Sequence, residues 1–142
     1  MPERPIWYDV LPLDAIRARI AELAGRIGAP ESYGPTYGRS EDFARPHIEA
    51  DRSYHYVIVE RGREQERRST NDLDTLLYWA LYDIAWQMAS DWELANRCEG
   101  EDSRRGLFAK HVELLESLSP SWAARTREAY AATLRLYPFR DR

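Results

Sequence analysis

The sequence predicts an α+β fold, mainly helical: one domain over residues 1–142, with four helices and a small antiparallel sheet of two to three strands. Three observations predict it. The stretch Thr70 to Arg97 repeats apolar residues at Leu73, Leu76, Leu77, Ala80, Leu81, Ile84, Ala85, Met88, Ala89, Trp92 and Ala95, the steps of three and four that mark a helix. The segment Tyr54 to Glu60, YHYVIVE, is aromatic and β-branched throughout, the composition of a strand. Residues 103–137 then return to helical periodicity with a Ser119–Pro120 restart in the middle.

Taken in order, residues 1–12 are rich in proline and aromatics and are expected to run extended, with Trp7 tucked in. The N-terminal helix spans about 13–27, because Leu13, Ile16, Ile20, Leu23 and Ile27 share one face; Gly28 and Pro30 stop it. Residues 28–45 hold Gly34, Gly38, Pro30 and Pro35 and form a long loop, a feature that in compact domains is often functional. Its YGPTYG run is no phosphate cradle, since no Lys-Ser/Thr follows it.

A β-meander fills about 46–69. His47 to Ala50 is its weakest strand, Tyr54 to Glu60 its best, and Arg63 to Ser69 pairs back after a tight Arg61–Gly62 turn. Tyr54, Tyr56, Ile58 and Glu60 fall on one side, His55, Val57 and Val59 on the other. The second side is a candidate to pack on the long helix, and the choice of face stays open. The helical part covers 71–137. Thr70, Asn71 or Asp72 caps the central helix, which at about 1.5 Å per residue would reach about 40 Å. A second aromatic stripe, Tyr78, Trp79, Tyr82 and Trp86, widens its apolar face. Asp102 or Ser103 starts the next helix, with His111 on its apolar side, and Pro138 stops the last.

Composition narrows the function classes. At 44% hydrophobic and 31% charged the chain reads as globular and soluble, with no run of about 18 apolar residues for a membrane span and no apolar core of a signal peptide. Cys98 is the single cysteine, which suits a cytoplasmic protein without disulfides. The net charge of −4 is uneven: residues 71–102 carry eight acids against Arg97 alone, while residues 103–142 carry four acids and eight bases. Either the two segments pair with each other, or the acidic block is a face for a basic partner. The same block argues against nucleic acid as a ligand.

The search for chemistry finds no catalytic residue, metal site or cofactor motif. His47, His55 and His111 have no companions at ligand spacing. Cys98 is followed by Glu99, Glu101 and Asp102, whose charge disfavours a thiolate. Asp83 and Asp91 lie on one helix face two turns apart, an ordinary pattern on an exposed helix. The dense charges Arg97, Glu99, Glu101, Asp102, Arg104 and Arg105 suit a stitch between helix ends.

The order YHYVIVERG, STNDLDTLLYW, MASDWELANR, EGEDSRRGLF, LSPSWAAR and LYPF resembles the Imm63-type immunity proteins of bacterial polymorphic toxin systems, over roughly residues 45–139. The resemblance implies a cytoplasmic antidote that neutralises a cognate toxin domain by stoichiometric binding; the missing motifs, the acidic block and the hydropathy add the expectation of no catalysis, cofactor, nucleic acid or membrane. The residues expected to bind the partner are Asp83, Trp86, Asp91 and Glu93, with Tyr33 and Tyr37 from the long loop. A non-catalytic adaptor for another cytoplasmic protein is the alternative, and an exposed aromatic stripe would equally serve a homodimer.

Overall fold

A computed structural model describes residues 10–142; the reading of Trp7 lies outside them. The first helix, α1, is Leu13–Arg26. Ala15 and Ile16 donate their backbone N–H groups to the carbonyl of Pro12. It ends in a left-handed glycine, Gly28 at φ 71°, and the Ala29 N–H closes back on the Ala24 carbonyl at 2.9 Å. That is the glycine-terminated helix end which satisfies otherwise orphaned carbonyls. A single 3-10 turn follows at Glu31–Tyr33.

The sheet has four strands: β1 (Thr36–Tyr37), β2 (His47–Ala50), β3 (Tyr54–Glu60) and β4 (Arg63–Thr70), in that spatial order. The expected meander is β2–β3–β4, antiparallel throughout. The fourth strand, β1, lies inside the loop 28–45 and pairs parallel with β2. It was not legible because two residues carry no periodicity; non-local hydrogen bonds hold it, from Thr36 N–H to Pro46 and from Gly38 N–H to Ile48. Arg61 and Gly62, both at positive φ, make the β3–β4 turn, whose twist suits a two-residue hairpin.

The face of β3 that meets the helices carries Tyr54 and Tyr56, each 1% exposed, beside Ile48 of β2. The other face holds His55, Val57 and Val59, so the side considered for packing turns away from the long helix. Both faces are apolar enough for a strand buried on both sides, which is why period-two reasoning left the choice open.

The central helix α2 is Leu73–Ala95; α3 is Ser103–Leu118 and α4 is Pro120–Leu136. Asp72 caps α2, accepting from the Thr75 N–H at 3.1 Å and its hydroxyl at 2.6 Å. Asp102 caps α3 and Ser119 caps α4, with Pro120 in the first turn. One side of α2 packs on β3 and α1, the other on α3, which in turn packs on α4. Leu76, Ala80, Leu81 and Ala85 are fully buried in the common core. Burying a leucine is worth about 1.5–3 kcal/mol relative to exposing it, so α2 holds the layers together. No described helix is long and apolar enough to cross a membrane.

Candidate partner-binding surface

The second aromatic stripe of α2 is mostly interior. Tyr78 is buried against Trp122 at 5.9 Å and Tyr82 at 5.8 Å, and its hydroxyl meets the Thr126 hydroxyl at 2.9 Å. Trp79 and Tyr82 are half-buried. Trp86, one turn further on, reaches the surface at 37% exposure, its inner edge against His111. His111 has no exposure. Its Nε2 donates to the Tyr82 carbonyl at 2.9 Å, and its Nδ1 then accepts from the Tyr130 hydroxyl at 2.5 Å. Burial holds it neutral, with its pKa lowered to about 4. It is a satisfied core histidine that supports Trp86 from below.

Around Trp86 the long loop meets α2. Tyr33 donates its hydroxyl to the Asp91 carboxylate, linking loop and helix across 58 residues of sequence. Asp83 accepts from the Tyr56 hydroxyl at 2.5 Å. Burial pushes the Asp83 carboxyl up, while that hydrogen bond and the nearby Arg68 guanidinium draw it back. Arg68 itself lies over the rings of Tyr56 at 5.0 Å and Trp79 at 4.9 Å. Together Tyr33, Ile58, Asp83, Trp86 and Gln87 line an open depression of about 520 Å³.

Phe43 stands on the rim of this depression, 90% exposed. Three consecutive residues without a glycine among them, Asp42, Phe43 and Ala44, sit at φ 62°, 56° and 62°. Each L-residue in that region costs on the order of 1 kcal/mol or more, so the turn must be held from outside. The Ala44 N–H reaches the Val59 carbonyl at 3.0 Å, and Asp42 Oδ1 accepts from the Gly62 N–H at 3.2 Å. Arg45 then clamps the base, donating twice to the Gly34 carbonyl and ion-pairing with Glu41 at 2.8 Å.

The structure therefore brings Tyr33, Asp83, Trp86 and Asp91 together. Tyr37 faces a neighbouring cleft of about 310 Å³ between α1 and the loop, under the Arg17 guanidinium at 5.1 Å. Burial there pushes its phenol up to about 12. Glu93 is 6% exposed and gripped by Arg97 at 2.9 and 3.1 Å, on the side of α2 that faces α3. Phe43, Ile58 and Gln87 were not singled out from the sequence; an isolated phenylalanine in a polar Gly/Pro-rich loop was the one available signal.

The acidic block does not form a single face. Asp72 and Asp102 are helix caps, Asp74 accepts from the Trp122 indole at 3.2 Å, and Glu93 is ion-paired. The charge cluster at the α2–α3 junction fastens the C-terminal residues. Arg104 donates to the carbonyls of Tyr137 and Pro138, Arg105 pairs with Asp141 at 2.9 Å, and the Arg142 N–H bonds the Gly100 carbonyl.

The family model described as Immunity protein 63 matches residues 50–132, more than half of the chain. That span holds Ile58, Asp83, Trp86 and Asp91, while Tyr33, Tyr37 and Phe43 precede it. No curated protein and no solved structure matches the chain. The β3–β4 hairpin, the central helix and the α2 side of the described surface are thus built from the matched residues, and the chain belongs to the Imm63 family of immunity proteins.

Proposed function

We propose that this protein neutralises a cognate toxin by binding it stoichiometrically in the bacterial cytoplasm, and that it turns over no substrate. Family membership supports an antidote role. The observation that carries the binding surface is the meeting of Tyr33, Asp83, Trp86 and Asp91 beside the exposed Phe43, all at the seam between the long loop and α2. A half-exposed tryptophan on rigid core is the kind of residue that dominates protein interfaces. Asp91 is paired only with a neutral hydroxyl among the described residues and so keeps an uncompensated charge. That charge suits a cationic partner. Tyr37 lies one cleft away and belongs to the margin of this surface; buried Glu93 supports the helix behind it.

Co-expression with the toxin encoded beside this gene tests the reading. Protection of the cell and a 1:1 complex are expected; unprotected cells and no complex would reject it. Asp91→Asn keeps the acceptor for Tyr33 and removes the charge. It should slow association at low salt, with the difference shrinking as salt rises. Asp83 is a poor choice for charge reversal, because its carboxylate is tied into the packing under Tyr56.

A further inference from the structure

We infer that Phe43 is the anchor of the complex: a ring presented in advance, which enters an apolar recess on the partner bordered by a cationic side chain. The inference rests on the toxin-binding reading and names the contact that dominates it. Four observations carry it. Phe43 is the most exposed large apolar side chain among the described residues, at 90%. It occupies the middle of three left-handed residues, a backbone state that an unconstrained loop without glycine would leave. The turn is pinned at both ends by Asp42, Ala44 and Arg45, so the direction in which Phe43 leaves the backbone is set before any partner arrives. It also overhangs the depression floored by Trp86 and Ile58, which gives the partner's recess walls an apolar seat.

The chemistry of the occupant follows from the rim. A ring 90% in water gains by complete burial, which requires an apolar pocket on the other molecule. The carboxylate of Asp91 lies on the α2 side of the same seam with no cation paired to it among the described residues, and a lysine or arginine beside the recess would meet it. Because the turn is already ordered, little loop entropy remains to be lost on docking, and the affinity benefits from preorganisation.

Titration of the full-length protein into the purified toxin domain encoded beside its gene tests this. Phe43→Ala should raise Kd by about 30-fold or more, the loss typical of an aromatic anchor. Its thermal midpoint should not change, since the ring packs on nothing in the free protein. Ala44→Gly probes the backbone independently. It should raise Tm, by relieving the left-handed φ, and leave Kd no higher than that of the wild type, because glycine favours the same turn; a Kd raised as far as by Phe43→Ala would count against the ring as the anchor. Unchanged affinity of Phe43→Ala in a complex that still forms would overturn the anchor and leave the antidote reading standing. Self-association of the free protein that Phe43→Ala abolishes would also overturn it, by assigning the ring to a second copy. If the wild-type protein binds no toxin, both readings fall together.

Discussion

At the scale of single residues, His111 shows how burial fixes a protonation state. In the unfolded chain its imidazole would titrate near 6.5, while in the fold burial lowers it to about 4. The unfolded state therefore binds the proton more readily between those values. Stability is fully present above pH 6.5 and is lost as pH falls toward 4, by on the order of 3 kcal/mol from this group. Urea unfolding across that interval should show the slope, and His111→Gln should flatten it, at the expense of a lower plateau near neutrality. The residue scale also explains the division among the expected binding residues. Tyr33 is expected from the long loop and Asp91 from the acidic block, and a long-range hydrogen bond joins them. Glu93, expected from the same acidic block, shares a turn of α2 with Asp91 but lies on the face toward α3, beside Gly106, where Arg97 pairs with it.

At the scale of elements, the starts of α2, α3 and α4 are set by local signals that the sequence displays. Asp72, Asp102 and Ser119 all accept from an N–H within the first turn. Ser119→Ala should destabilise the protein by about 1 kcal/mol, measured by urea unfolding, because the Trp122 N–H loses its acceptor at the point where Trp122 enters the core. Helix ends were less legible. The helical spacing of Trp122, Thr126, Ala129, Thr133 and Tyr137 predicts one inner face for α4, yet Ala129, Thr133 and Tyr137 are exposed. Only the first half of α4, with Trp122, Ala123 and Thr126, reaches the core under Tyr78; beyond it α4 packs mainly on α3, where Tyr130 stacks on Phe108 at 3.8 Å.

At the scale of the whole molecule, α2 couples every layer, since the sheet and α1 touch one side and α3 the other. A single calorimetric transition is expected, and two resolved transitions would contradict one cooperative core. The C-terminal residues close the far end. Phe139 lies under the Arg105 guanidinium at 4.2 Å, and Asp141 bonds both Arg105 and the Asp102 N–H. Truncation after Leu136 should lower Tm by a few degrees while toxin affinity stays the same, because this end is built from the α2–α3 junction and the candidate surface from the loop and the middle of α2.

The sequence by itself determined the four helices, the cap of α4 and the few candidates for those of α2 and α3, the β3–β4 hairpin and the family resemblance. Each is written in short-range spacing: a 3.6-residue apolar period, an acceptor before a helix, a turn of Arg61 and Gly62. Only the tertiary structure decided which face of β3 is inside, that Thr36 and Tyr37 form a strand, that Glu93 is buried, and that Phe43 stands in water. These depend on partners far along the chain. A strand with two apolar faces does not encode its own orientation, and a left-handed turn without glycine exists only because Val59, Gly62 and Gly34 hold it there.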